Sequence, residues 1–237
     1  MRCSVPLLVF GALALASLAS AKPVKLGLIT QLVNFGDSLT DNGNGSYLLT
    51  NKTWPADPAY FNGRFSNGPT GGLNDIFFAI GTPVFESPEK FAEGSAKRLM
   101  QAVEVLRKAG AINFIIPYGP KLDTLPYTST TSPSVQASFS AYSKALHLAV
   151  QKHAKAYLRA HPLLHIVLFD GDVDSTLGGA EAFKVTDKPC LVGAYGEAPR
   201  SLCAEPDQYL FWDLYHPTTR AHSFLAQKAF KAIKRAA

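Results

Sequence analysis

The chain has 237 residues, of which 47% are hydrophobic and 17% are charged, and its formal net charge is +5. This apolar content suffices for a buried core, which excludes a disordered or fibrous chain. No apolar run reaches the roughly 18–20 residues that span a bilayer, which argues against a membrane protein. The sparse charges of both signs and the 3 cysteines argue against a nucleic-acid binder, a zinc site or a disulfide scaffold.

Residues 1–21 have the pattern of a secretory signal peptide. Arg2 precedes an apolar stretch over Val5–Leu18, and the small residues Ala19–Ala21 follow it as an A-x-A cleavage site. The alternative is a buried N-terminal helix. The pattern predicts a secreted protein whose mature chain, residues 22–237, forms a single domain.

Secretion has two consequences for the rest of the chain. In an oxidising compartment we expect Cys190 and Cys203 to form a disulfide, the alternative being two buried thiols. Asn44 and Asn51 each begin an N-x-Ser/Thr sequon and are candidate glycosylation sites, although such sequons also occur by chance.

Apolar spacing along the chain predicts strands that alternate with helices. The predicted elements are a strand over Leu32–Phe35, a helix over 91–109, a strand over 111–116, a long helix over 134–160, a strand over 163–169 and a last helix opened by Pro217. Because the strand runs are continuously apolar, they predict an α/β three-layer sandwich with a mostly parallel sheet. Functional residues are then expected after the carboxyl ends of strands or in the loop before the last helix.

Ser38 lies in a tight turn directly after the first predicted strand. The run Phe35–Asn44 reads Phe-Gly-Asp-Ser-Leu-Thr-Asp-Asn-Gly-Asn, and Gly36 allows the sharp turn that would expose the serine hydroxyl. Serine needs a base within hydrogen-bond reach to act as a nucleophile. A Gly-Asp-Ser run alone favours an ordinary turn, but the longer string is more specific.

Asp213 and His216 are the matching candidates for an acid and a base. An acid three residues before a histidine can orient the imidazole from the same turn, as in a Ser-His-Asp triad, with the histidine facing outward where Pro217 opens the helix. The alternative is a helix-entry loop in which Asp213 caps a turn and His216 is merely exposed.

Together these strings resemble the GDSL family of serine esterases, also called SGNH hydrolases. The resemblance implies Ser38 as nucleophile, Asp213 as acid and His216 as base. The block Gly72–Asp75 is similar to the family's Gly-x-Asn-Asp block, which implies that the Asn74 amide donates to the oxyanion. Donors aimed at a developing oxyanion contribute several kcal/mol, although Asn-Asp after two glycines is also typical of a turn. No metal or organic cofactor is implied.

Two further stretches resemble secreted fungal-type members of carbohydrate esterase family 16, which deacetylate sugars. These are Gly63–Pro69 and Phe211–Pro217. The resemblance implies hydrolysis of acetyl esters on carbohydrates, with a small ester or acetylated carbohydrate as the partner, no nucleic-acid or membrane partner, and a monomer. Trp54, Tyr60 and Phe61 could stack on a sugar or serve loop packing.

The chain departs from the family between the nucleophile and Asn74. We find no match to the family's second glycine block, and residues 40–72 carry no strand or helix pattern. We therefore hypothesise that a segment near residues 69–71 is absent relative to the family, with loss of central strands. A misjudged exon boundary, a splice form or a natural deletion would explain it. The alternatives to an esterase are an inactive, carbohydrate-binding relative and a lipase or phospholipase of the same family.

The loop after the strand over 163–169 offers a calcium-like spacing. Asp170, Asp172 and Asp174 occupy positions 1, 3 and 5, and Glu181 occupies position 12. Ser175 stands where a calcium loop needs glycine. We interpret these aspartates as loop and capping groups and predict no metal site.

Overall fold

The computed structural model of the protein describes residues 74–80, 82, 85–118, 121–179, 181–194 and 198–236. The side chains of Asn74, Asp75 and Phe78 are outside this description. The predictions that fall outside the described residues are the signal peptide 1–21, the strand Leu32–Phe35, Ser38, the sequons at Asn44 and Asn51, and the proposed junction near residues 69–71.

The described part of the chain folds into α-helices, two 3-10 turns and short β-strands. In order they are α1 (Asn74–Ala79), α2 (Pro88–Lys108), β1 (Asn113–Pro117), a 3-10 turn (Leu122–Thr124), α3 (Pro126–Ser129), α4 (Pro133–Ala160), β2 (His165–Phe169), β3 (Val185–Pro189), β4 (Leu191–Val192), β5 (Ser201–Leu202), a 3-10 turn (Pro206–Gln208), β6 (Tyr209–Phe211) and α5 (Thr219–Ala236).

Helices α2 and α4 confirm the two helices predicted from apolar spacing. Helix α2 begins three residues earlier than predicted because the Ser87 side chain accepts a hydrogen bond from the Lys90 N–H and Pro88 occupies the first turn. Phe139 and Tyr142 of α4 are completely buried and form the core together with Val103 of α2. Within the described ranges, no helix combines the length and apolarity needed to cross a bilayer.

Strands β1 and β2 form a parallel pair joined by the long helix α4. Their register runs from Asn113 opposite His165 to Pro117 opposite Phe169. The Tyr118 N–H extends the ladder by donating to the Phe169 carbonyl at 2.8 Å. A strand, a crossover helix and a parallel strand form the basic unit of an α/β fold, so the predicted fold class is confirmed.

Four short strands after β2 were not predicted. Strand β3 pairs in parallel with β6, through Val185 opposite Tyr209 and Pro189 opposite Phe211, and β4 pairs antiparallel with β5. Only Leu191, Leu210 and Phe211 in these strands are buried. These strands contain no apolar run from which they could be predicted. They form because they pair with other strands in the folded chain.

The last helix begins at Thr219, two residues later than Pro217 suggested. Pro217 instead forms an isolated bridge with Phe211. Thr218 provides the cap, because its side-chain oxygen accepts from the Ala221 N–H at 3.3 Å and its carbonyl accepts from the His222 N–H at 2.9 Å. The residues before α5 are thereby tied to the end of β6.

Candidate active site

Asp213 and His216 form a buried acid–imidazole pair in the loop between β6 and α5. His216 Nδ1 lies 2.8 Å from Asp213 Oδ2 and 2.9 Å from Oδ1. Asp213 is 0% exposed and His216 is 2% exposed, so His216 does not face outward into solvent as the sequence suggested. A buried carboxylate requires charge-assisted partners, and the imidazole is one of them.

The local backbone provides two more donors to the same carboxylate. The N–H groups of Tyr215 and His216 both donate to Asp213 Oδ1 at 2.8 Å. The Trp212 N–H donates to the His216 carbonyl at 2.7 Å and closes the turn. The spacing of Asp213 and His216 therefore builds a compact turn that fixes the imidazole against the acid.

The hydrogen bonds determine which nitrogen of His216 carries the proton. An ionised carboxylate only accepts, and Asp213 already accepts from two backbone N–H groups, so His216 Nδ1 donates. In this tautomer the other ring nitrogen, Nε2, is the basic one. Such an imidazole can take a proton from a nucleophile and return it later, while the acid stabilises the imidazolium.

Strand β6 and the start of α5 hold the pair from both ends. The Thr218 N–H donates to the Leu210 carbonyl at 2.9 Å, and the Thr218 hydroxyl donates to the Tyr209 carbonyl at 2.9 Å. Leu210 is completely buried. The loop between these contacts is short and anchored to the sheet, which restrains Asp213 and His216.

An aromatic cluster of Phe77, Tyr127, Phe139 and Tyr215 covers one side of this turn. The Tyr215 ring lies 4.7 Å from Tyr127 and 5.3 Å from Phe77, measured between ring centroids. The Tyr127 N–H donates to the Leu214 carbonyl at 3.0 Å. Burial, with added repulsion from Tyr127 and Asp213, raises the pKa of Tyr215, so its hydroxyl stays neutral. Sequence reasoning missed Tyr127, which no motif marks.

His222 is a second imidazole close to the pair, in the first turn of α5. Burial, together with the charge of His216, lowers the pKa of His222 to about 4. His222 is therefore neutral at pH 7 and adds no positive charge beside His216. The sequence pattern did not single out this residue.

The other predicted site residues are placed as follows. Ser38 lies outside the described residues, so the structure does not test whether it meets His216. Asn74 is the first residue of α1, and Phe77 of the same helix contacts Tyr215. Ile76 and Phe77 thus lie in a helix and not in a strand of the sheet.

The predicted disulfide is present. Cys190 and Cys203 are bonded to each other, and Cys190 is 1% exposed. The bond joins the residue before β4 to the residue after β5. Closing this loop restricts the unfolded chain and contributes on the order of 3 kcal/mol to the free energy of unfolding in the chain-entropy model.

Lysine side chains form ion pairs with the aspartates of the loop that has a calcium-like spacing. The Lys121 ammonium lies 3.1 Å from Asp172 Oδ2 and 3.0 Å from Asp174 Oδ2, and Lys228 lies 2.9 Å from Asp170 Oδ2. The Asp170 and Asp174 side chains also cap backbone N–H groups of this loop. No group of three or more metal-ligating residues occurs in the part of the chain that the structure describes. The ion pairs and backbone hydrogen bonds of these aspartates stabilise the loop.

Replacing Lys121 with methionine should make the stability of this loop depend more weakly on pH. Burial raises the pKa of Asp174, but hydrogen bonds from Thr176 and Lys121 outweigh it and leave the pKa below its usual range. A lowered carboxyl pKa stabilises the fold above the unfolded value near 4, and this contribution is lost as the pH falls through the folded pKa.

We expect Lys121→Met to lower the free energy of unfolding by about 0.5–1 kcal/mol at pH 7, because the ammonium is half exposed. The difference from the unsubstituted protein should shrink below about pH 4. Urea denaturation across pH measures it, and Lys144→Met on an exposed position of α4 is the matched control. A deficit that stays constant down to low pH would contradict the ion-pair explanation.

Comparison with known proteins identifies one distant relative. The chain is 24% identical to a GDSL esterase/lipase of Arabidopsis thaliana over 183 residues, which cover 69% of this chain and 50% of the Arabidopsis protein. The chain therefore spans about half the length of the curated relative it matches. No family profile matches the chain.

Proposed function

We propose that the protein is a serine hydrolase of carboxylic esters related to the GDSL esterases. The observation that carries the proposal is the buried Asp213–His216 pair, whose Nδ1 contact to the carboxylate has the geometry expected of the acid–base half of a triad. The Gly-Asp-Ser run around Ser38 supplies the candidate nucleophile, and the Arabidopsis relative is named as an esterase/lipase.

In the proposed mechanism Ser38 Oγ attacks the ester carbonyl while His216 Nε2 takes the hydroxyl proton. His216 then gives this proton to the departing alkoxide, which leaves an acyl-serine. Water, deprotonated by the same nitrogen, releases the acid and restores Ser38. Asp213 holds the imidazole throughout, and the Ser38 N–H with the Asn74 amide would stabilise the oxyanion. The cycle needs no metal or organic cofactor.

A more specific proposal concerns the ester that the enzyme hydrolyses and whether the enzyme is secreted. The stretches Gly63–Pro69 and Phe211–Pro217, which resemble carbohydrate esterase family 16, favour acetyl groups on a carbohydrate.

We further propose a secreted, monomeric protein with signal peptide 1–21 and one domain over 22–237, shortened near residues 69–71. Sequencing the messenger RNA tests the gene-model explanation, because an uninterrupted frame matching this chain rules it out.

The substrate proposal is tested with a series of esters. We expect hydrolysis of p-nitrophenyl acetate and of acetylated xylo-oligosaccharides, with activity falling as the acyl chain lengthens to palmitate. The Ser38→Ala variant is the control and should show no enzymatic hydrolysis. Preference for the long acyl chain would favour a lipase, and full activity of the variant would exclude the mechanism.

A further inference from the structure

The disulfide lies next to the backbone that positions Asp213. We define the disulfide hairpin as strands β4 and β5 with their flanking cysteines, Cys190 and Cys203. The Cys190 N–H donates to the Phe211 carbonyl at 3.0 Å, and the Leu191 N–H donates to the Trp212 carbonyl at 2.6 Å. Phe211 and Trp212 are the two residues that directly precede Asp213.

Trp212 is held from two sides by these contacts. Its carbonyl accepts from Leu191 of the disulfide hairpin, and its N–H donates to the carbonyl of His216. Trp212 therefore fixes both the backbone that leads into Asp213 and the hydrogen bond that closes the turn at His216. A shift of Leu191 would be passed through Trp212 to both members of the acid–imidazole pair.

The disulfide is one of several restraints on the hairpin, in which Leu191 itself is buried. Each strand contributes two residues, Leu191 opposite Leu202 and Val192 opposite Ser201, and Val192 and Leu202 are more than half exposed. The Cys203 N–H donates to the Cys190 carbonyl at 2.9 Å, and the Arg200 guanidinium donates to the Leu191 carbonyl at 3.1 Å. Two-stranded hairpins are marginally stable in isolation, so the covalent link adds a restraint on Leu191 beyond these hydrogen bonds.

We propose that Cys190 and Cys203 are positioning residues for the Asp213–His216 pair, so that full hydrolytic turnover depends on their disulfide. This inference rests on the proposed esterase function and extends it. Loss of the bond frees the hairpin, weakens the Leu191–Trp212 hydrogen bond and lets Asp213 move relative to the imidazole. Small displacements of catalytic groups slow the chemical step more than substrate binding, so kcat falls while KM changes little.

The Cys190→Ser/Cys203→Ser double variant tests the proposal at a temperature where circular dichroism shows it folded. We expect kcat on p-nitrophenyl acetate to fall at least about tenfold with KM within about twofold. We also expect the downfield proton resonance of His216 Nδ1–H, the signature of an imidazole donating to a carboxylate, to weaken or disappear. Val103→Ala, which removes core volume in α2, is the control for lost stability and should keep both kcat and the resonance.

A second variant covers the case in which the double variant does not fold. Arg200→Ala leaves the disulfide intact but removes the guanidinium from the carbonyls of Leu191 and Gly193. We expect kcat to fall about two- to fivefold, with a weaker Nδ1–H resonance. The proposal is overturned by a folded double variant with unchanged kcat and resonance, or by an unchanged Arg200→Ala variant when the double variant is unfolded.

Failure of the esterase function itself gives a different pattern of results. If the unsubstituted protein hydrolyses no ester, the proposed function is wrong, and the Nδ1–H resonance alone then decides the positioning role. A resonance present in the unsubstituted protein and lost in the double variant supports that role. A resonance that is unchanged in the double variant overturns it.

Discussion

Replacing Asp213 with asparagine should lower kcat by about four orders of magnitude, the size of effect seen when a triad acid becomes an amide. The asparagine oxygen can still accept from the N–H groups of Tyr215 and His216, so the turn should survive. The amide nitrogen would then face His216 Nδ1. Because that nitrogen donates, it favours the tautomer with the proton on Nε2, which cannot act as a base.

Steady-state hydrolysis of p-nitrophenyl acetate measures this loss, and thermal denaturation checks that the variant is folded. Asp207→Asn is the matched control, since Asp207 is an exposed acid in the 3-10 turn just before β6. We expect this control to keep kcat. A folded Asp213→Asn variant with kcat within about tenfold of the unsubstituted protein would show that Asp213 does not orient the base.

Replacing Gly178 with alanine should destabilise the fold by about 2–4 kcal/mol, through backbone strain and overpacking together. Gly178 has φ +80°, which side-chain-bearing residues rarely adopt. A Cβ at this position would lie 2.7–2.8 Å from three ring carbons of Phe224. The ring cannot withdraw freely, because it packs edge-to-face on buried Phe183 with centroids 5.9 Å apart.

Gly179→Ala separates the two causes, because Gly179 has φ +99° but nothing within 4 Å of an added Cβ. Strain alone should cost about 1–2 kcal/mol there. Urea denaturation of both variants measures the difference. Equal losses of stability would mean that the contact with Phe224 contributes nothing.

The long elements were predictable from the sequence because their apolar periodicity is strong. The helix expected over 134–160 is α4, Pro133–Ala160, and the strands expected over 111–116 and 163–169 are β1 and β2 within two residues at each end. A continuous apolar face that becomes buried is enough to determine whether such a segment forms a helix or a strand, and the local sequence shows that face. Strand β3, with the sequence Val-Thr-Asp-Lys-Pro, has no such face and depends on β6 for its structure.

The contact within the candidate site could be anticipated from the sequence, but its surroundings could not. An acid three residues before a histidine suggested that the two side chains meet, and His216 Nδ1 lies 2.8 Å from Asp213 Oδ2. The aromatic side chains of Tyr127 and Phe77 lie far away in the sequence and reach Tyr215 only through tertiary packing. The ammonium of Lys121 between Asp172 and Asp174 is another long-range contact that no local pattern encodes.

Covalent labelling with a fluorophosphonate, followed by peptide mass spectrometry, tests most directly whether His216 activates Ser38. The reagent phosphonylates a serine that a neighbouring base has activated, with loss of fluoride. We predict one adduct, on Ser38, that is absent in His216→Ala and formed more slowly in Asp213→Asn. An unlabelled Ser38 in the folded protein, or an adduct that forms equally well in His216→Ala, would contradict the proposed triad.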